Sequence, residues 1–138
     1  MPGPDFLDTN VLVYAYDASS PAKQRVAQGL VRRALAGEIV TSTQVLAEFA
    51  ATLLHKISPA ARPADLSAIL DALAPVKAIP PDGDTVRRAV EAHSQYGVHF
   101  YDGMILAAAE RGACGRILSE DLGAGQSYFG IVVENPFL

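Results

Sequence analysis

The chain has 138 residues, half of them apolar, with 11 Lys or Arg against 15 Asp or Glu and a formal charge of −4. That length suits one domain around a single core, and the negative balance argues against tight, sequence-blind binding to nucleic acid through phosphate neutralisation alone. No apolar stretch approaches the roughly 18 residues of a membrane span, "MPGPDF" lacks the basic head and apolar middle of a secretion signal, and Cys114, the single cysteine, has no second thiol for a disulfide or a zinc site. A cytoplasmic protein with no membrane contact is expected.

In chain order, residues 5–8 read as a short buried strand. Ser20-Pro21 is a helix start, a capping hydroxyl followed by proline at the first helical position, and Gly37 stops that helix after about Ala36. Lys23, Arg25, Arg32 and Arg33 crowd it and read as a solvated face. "EIVTS" is a second strand. "TQVLAEFAATLLHKI" follows with Val45, Leu46, Phe49, Leu53 and Ile57 on one broad helical face.

"SPAARP" breaks the pattern, "ADLSAILDALA" resumes it, and Pro75 ends it. "VKAI" reads as a third strand and "PPDGD" as a turn into a helix from about Thr85 to Gln95. After "YGVHF" comes "YDGMILAAAERG", an apolar helix closed by Gly112. "RILS" is a strand, "EDLGAGQ" a glycine-bearing loop and "GIVVE" the last strand before Asn135-Pro136. Strands alternating with helices imply parallel crossover units, an open sheet with helices on both faces, and ligands outside the carboxyl ends of the strands. No repeat or linker divides the chain, so residues 1–138 read as one domain.

Four acids fall near that edge: Asp8 ends the first strand, Glu48 lies early in the helix after "IVTS", Asp102 starts the apolar helix, and Asp121 follows "RILS". Each has an ordinary reading. Asp8 suits a helix cap at the positive end of the dipole, Asp121 a turn, and Glu48 a solvated position off its helix's apolar face. Asp102 is the sharpest, because Tyr101, Ile105 and Ala109 flank it on what reads as a buried face, where an ionised carboxylate needs a partner. Its own helix start offers one and a metal offers another.

Together the four make a stronger case. Converging carboxylates repel one another and raise some of their pKa values unless a cation is shared. His55, His93 and His99 lack ligand spacing and read as surface or loop residues. Oxygen-only ligands favour Mg²⁺ or Mn²⁺ over zinc, and such a site can activate water and stabilise charge on a phosphodiester.

"DFLDTNVLVYAYD", "TSTQVLAEF", "YDGMILAAAERGACGRILSEDL" and "GQSYFGIVVENPF", taken in order from near residue 5 to the C-terminus, resemble PIN-domain ribonucleases, in particular the VapC-type toxins of bacterial toxin–antitoxin pairs. The resemblance implies a three-layer α/β/α sandwich with a central, mainly parallel sheet, Mg²⁺- or Mn²⁺-dependent endonucleolytic cleavage of RNA, a homodimer, and inhibition by a small VapB-type antitoxin. It carries the acidic quartet onto Asp8, Glu48, Asp102 and Asp121, with Asp8 and Asp102 as direct metal ligands and the other two assisting through waters or a second ion. Thr9, Asn10 and Ser119 would orient the carboxylates. Many family members place further acids just after the position of Asp121, whereas Leu122 and Gly123 stand here and Glu120 precedes it, so one or two metal positions remain open.

Two alternatives follow from the same residues. A PIN-like fold could serve only as a binding module, its acids acting as caps. A phosphatase of the haloacid dehalogenase type also ends its first strand on aspartate, but wants another aspartate two residues later, where this chain has Asn10, and a later lysine for which no candidate stands out.

Overall fold

The computed structural model describes residues 3–138; residues 1 and 2, with which the reading of "MPGPDF" begins, lie outside the described residues. Six strands form one sheet: β1 (Asp5–Leu7), β2 (Ile39–Ser42), β3 (Ala78–Ile79), β4 (Arg116–Leu118), β5 (Ser127–Tyr128) and β6 (Ile131–Glu134). Their order is β3-β2-β1-β4-β6-β5. All neighbours are parallel except β5 and β6, which form an antiparallel hairpin at one edge. The helices are α1 (Thr9–Tyr14), α2 (Pro21–Leu35), α3 (Thr43–His55), α4 (Pro63–Ala72), α5 (Gly83–Tyr96) and α6 (Phe100–Arg111). The architecture is the expected α/β sandwich around a mainly parallel sheet.

Burial follows from that layering. A parallel strand covered on both faces is apolar throughout rather than alternating: Phe6 and Leu7 of β1, Ile117 and Leu118 of β4, and Ile39 and Val40 of β2 are all buried. Near the edge, β6 is buried on one side only, with Ile131 and Val133 inside and Val132 and Glu134 outside. No helix among the described residues is long and apolar enough to cross a membrane.

The expected elements are present, with corrections at their ends. Asp8 is not the last residue of β1 but the N-cap of α1, a six-residue helix that the continuous apolar run had masked. Ser20 precedes α2, but its hydroxyl makes no capping bond; Pro21 at the first position starts the helix without one. The fourth helix ends at Ala72, three residues before Pro75, where Leu73 and Ala74 turn back onto Ile69 and Asp71. α5 begins two residues early because Asp82 caps it in a reciprocal box with Thr85. β5 falls between the expected loop "EDLGAGQ" and the expected strand "GIVVE": two residues are too few for a pattern, and what defines them is the turn at Phe129-Gly130. Both turn residues have positive φ, 53° and 78°, as a two-residue hairpin with right-handed twist requires. The Tyr96 hydroxyl accepts the Phe129 N–H at 2.8 Å and anchors that turn.

The basic face of α2 is only partly solvated. Arg25, Arg32 and Arg33 are exposed, Arg33 lying 3.6 Å from Glu38 and 3.9 Å from Asp5, but Lys23 is half-buried and drawn toward the loop after β4.

Candidate metal and nucleic-acid site

The site starts from strand register. β1 and β4 pair in parallel with Leu7 opposite Leu118, and the Asp8 N–H continues the ladder to the Leu118 carbonyl at 3.1 Å. The next residue of each strand is therefore a neighbour of the other. Ser119, fully buried, donates from Oγ to Asp8 Oδ2 at 2.8 Å. Asp8 Oδ1 accepts the Thr9 N–H at 2.7 Å, which caps α1. The capping reading of Asp8 is thus correct as far as it goes, but it uses one carboxylate oxygen.

From the first turn of α1, Thr9 reaches α3 and Asn10 reaches the loop after β4. Thr9 Oγ1 donates to Glu48 Oε2 at 2.9 Å, and Asn10 Nδ2 donates to Asp121 Oδ2 at 3.0 Å. Asn10 Oδ1 accepts the Glu120 N–H at 3.0 Å, fixing the loop after β4 from its other side. On α3, Gln44 Nε2 bridges Glu48 Oε1 at 3.2 Å and the Tyr101 carbonyl at 3.1 Å. Sequence reasoning missed Gln44, although its position four residues before Glu48 puts both on one helix face.

Asp102 reaches this edge by a route that strand ends alone do not give. α6 leads directly into β4 and runs antiparallel to it, so its N-terminus lies where the parallel strands finish. The residue is exposed rather than on the buried face expected from its neighbours: burial on α6 begins one position later, at Gly103, and Tyr101 is 57% exposed. Nor does Asp102 cap its own helix. The His99 ring does so, accepting the Tyr101 N–H at 3.2 Å. All three histidines are exposed, as expected.

The electrostatics follow from this placement. Burial lifts the Asp8 carboxyl from 3.8 to about 6 against the lowering effect of the Ser119 and Thr9 donors, and the charges of Glu48 and Asp102 push it further up. Asp102 is also raised, first by partial burial of its carboxyl, then by Glu48 and Asp121, with His99 acting in the opposite direction. Asp8 thus feels Glu48 and Asp102, and Asp102 feels Glu48 and Asp121. The four acids share one edge, and among the described residues no lysine or arginine pairs with any of them.

Glu120 stands apart. Lys23 Nζ lies 2.5 Å from its Oε2, and the Tyr14 hydroxyl donates to its Oε1 at 2.9 Å. Lys23 and Tyr14 hold its carboxyl below the usual range, so this acid is neutralised by its own partners.

Among the described residues, no three His, Cys, Asp or Glu side chains stand close enough to ligate one ion jointly. The donor set nevertheless fits a hard cation that takes one or two carboxylates and completes its shell with water, as Mg²⁺ does. Asp8 supplies the observation that matters: a carboxylate only 6% exposed, under pressure from neighbouring acids, without a cationic partner. Beside the acids a cleft of about 580 Å³ runs between α1 and α3, bounded by Thr9, Asn10, Glu48 and Asp121 at one end and reaching Lys56 at the other.

Comparison with known proteins bears on the fold and the family. A toxin–antitoxin complex from Klebsiella pneumoniae has a similar structure, with a TM-score of 0.65 at 18% identity, over 96% of this chain and 97% of that one. FitAcB from Neisseria gonorrhoeae gives 0.67 at 16% identity, over 96% and 98%. Mycobacterium tuberculosis VapC20, described as a toxin that cleaves the sarcin–ricin loop, gives 0.64 at 20% identity, over 85% and 91%. At these identities the likeness is one of fold. No curated protein matches the chain in sequence. The family model "PIN domain" matches residues 6–126, and the chain belongs to the PIN domain family.

Proposed function

We propose that this PIN domain is an Mg²⁺- or Mn²⁺-dependent endoribonuclease and the toxin component of a type II toxin–antitoxin pair. The observation that carries the reading is the buried Asp8 carboxylate, raised to about 6 and facing Glu48 and Asp102 with no cationic side chain beside it. Burying such a group is costly unless a cation compensates it. Asp8 and Asp102 would hold the ion directly; Glu48 and Asp121 would hold its waters. Ser119 and Thr9 keep the Asp8 oxygens oriented, and Asn10 does the same for Asp121. A bound divalent cation lowers the pKa of water and offsets charge on phosphate oxygens. In the reaction, water attacks phosphorus and the 3′ oxygen leaves. The whole chain, residues 1–138, would act as one cytoplasmic domain, paired as a homodimer and silenced by a small VapB-type antitoxin; the resemblance to toxin–antitoxin structures supports that assignment.

The test is cleavage of an RNA panel with Mn²⁺, with and without EDTA, by the parent and by Asp8→Asn. The expected result is EDTA-sensitive cleavage lost in the variant while its circular dichroism is retained. Equal cleavage by both proteins would sink the mechanism. A second reading, a catalytically silent PIN-fold binding module, is favoured by one observation: Asp8, Glu48 and Asp121 each already accept a hydrogen bond within the chain. Absence of metal-dependent cleavage across the panel would select it.

A further inference from the structure

α3 acts as a ruler across this edge. Gln44 near its start holds the Tyr101 carbonyl, Glu48 one turn on belongs to the acidic group, and Lys56 follows just beyond the helix end. From Gln44 to Lys56 is twelve residues, roughly 18 Å of helical rise. The two ends carry the groups that acids cannot provide for a polyanion. Tyr101, at one end, is more than half exposed, its ring stacked on His99 at 5.9 Å and 22°. Lys56, at the other, is exposed, forms none of the ion pairs among the described residues, and is the one basic side chain lining the cleft. The cleft wall between Glu48 and Lys56 is small and uncharged, Ala51 and Thr52.

We infer that an extended single strand of nucleic acid crosses this edge, with one base stacked on Tyr101 and a phosphate remote from the acidic group held by Lys56. This deepens the nuclease reading and rests on it for the position of the scissile bond. An exposed aromatic and a lone cation on opposite sides of a carboxylate cluster match the two elements of single-strand recognition: stacking, which tolerates any base, and phosphate neutralisation, which does not read sequence. A duplex would present no free base face to Tyr101. Lys56 also lies at the negative end of α3, where a cation favours the helix; that role predicts a change in stability, not in the salt dependence of binding.

The experiment uses the full chain carrying Asp8→Asn, so that RNA is bound without turnover, and measures anisotropy of a short fluorescein-labelled single-stranded RNA in Mg²⁺ buffer across a salt series. Adding Lys56→Gln is expected to weaken binding and make the slope of log K against log salt shallower by about 0.7, the share of one phosphate contact on a single strand; Lys56→Arg restores the slope. Adding Tyr101→Ala is expected to weaken binding roughly 5- to 100-fold with the slope unchanged, and Tyr101→Phe to restore it. An unchanged slope in Lys56→Gln, unchanged affinity in Tyr101→Ala, or equal preference for the RNA duplex overturns the path. If the parent cleaves no RNA but both effects appear, the path stands and hydrolysis falls. If the parent cleaves RNA with Mg²⁺ and neither variant differs, hydrolysis stands and the path falls.

Discussion

Ser119 Oγ donates to Asp8 Oδ2 at 2.8 Å while accepting the backbone N–H groups of Asp121 and Leu122 at 3.1 and 3.4 Å. One buried hydroxyl therefore fixes the carboxylate that caps α1, just beyond one central strand, and the loop that leaves the next. Ser119→Ala removes a donor from a buried acceptor, a loss of roughly 1–3 kcal/mol. Without that bond the Asp8 carboxyl rises further, since the Ser119 bond is the largest contribution lowering it. The expected result is a lower melting temperature, and a metal-dependent activity whose acid limb moves to higher pH; Ser119→Thr recovers part of both. A pH–rate profile and a thermal melt measure the two effects separately.

The metal-free protein should lose stability as pH rises through the Asp8 titration. Its folded pKa, about 6, lies above the ordinary 3.8, so between these values the native state binds more protons than the unfolded chain and stability falls with increasing pH. The loss is complete above about pH 6 and amounts to about 3 kcal/mol, at 1.36 kcal/mol per unit. Asp8→Asn should consequently melt higher than the parent at pH 7.5 in EDTA and lose that advantage near pH 4. The gain should fall short of the full amount, because the Asn amide turns a donor toward one of two groups that donate to Asp8. Adding Mg²⁺ should raise the parent's melting temperature more than the variant's. A parent curve flat between pH 4 and 7 would contradict the burial argument.

Legibility in the sequence followed the reach of each signal. The parallel sheet was readable because Phe6-Leu7 and Ile117-Leu118 are apolar runs bounded by helical spacing, and that alone put Asp8 and Asp121 at one edge. Asp102 was harder: its place depends on α6 running back toward β4, a fact of topology, and its exposure depends on where α6 meets the core. Gly103 marks that point, but its meaning appears only when Ala89 of α5 is seen against it. β5 had too few residues for a period, and α1 too few to separate from β1. The hydrogen bonds from Thr9 to Glu48 and from Asn10 to Asp121 span 39 and 111 residues; no local pattern encodes them. The resemblance proposed Thr9, Asn10 and Ser119 as orienting residues, and it is the in-register end of β1 and β4 that makes this physically possible.

Arg88 ties α5 and the β5–β6 turn to the far end of α6, at Glu110, eight residues beyond Asp102. Its guanidinium donates to both oxygens of Glu110 at 2.8 Å, pairs with Glu91, and lies 3.6 Å from the centroid of Phe129 in the β5–β6 turn. A planar fork and a stacked face are both used, so lysine cannot substitute. Arg88→Lys and Arg88→Ala should each lower the urea midpoint, by an amount corresponding to about 1–2 kcal/mol, without changing activity per folded molecule. Activity lost out of proportion to the folded fraction would show that the clamp reaches the site.

Gly103 tests whether backbone placement of α6 governs the acidic edge. A Cβ there would stand 2.7 Å from the Ala89 carbonyl oxygen and 3.2 Å from its Cα, and both obstacles are backbone, so no side chain can swing aside. Gly103→Ala must push α5 and α6 apart. Overpacking of this kind costs roughly 1–3 kcal/mol, partly relieved by alanine's better helix propensity. Because Asp102 is the preceding residue and Gln44 holds the Tyr101 carbonyl, the displacement should be felt first in the spacing of Asp102 from Glu48 and Asp8. The expected signature is a weakened Mg²⁺-induced rise in melting temperature that exceeds what the loss of stability alone produces. Arg88→Ala is the control of matched destabilisation. If Gly103→Ala and Arg88→Ala respond alike to Mg²⁺, then α6 does not set the position of Asp102, and the N-terminus of that helix is not what brings the fourth acid to the edge.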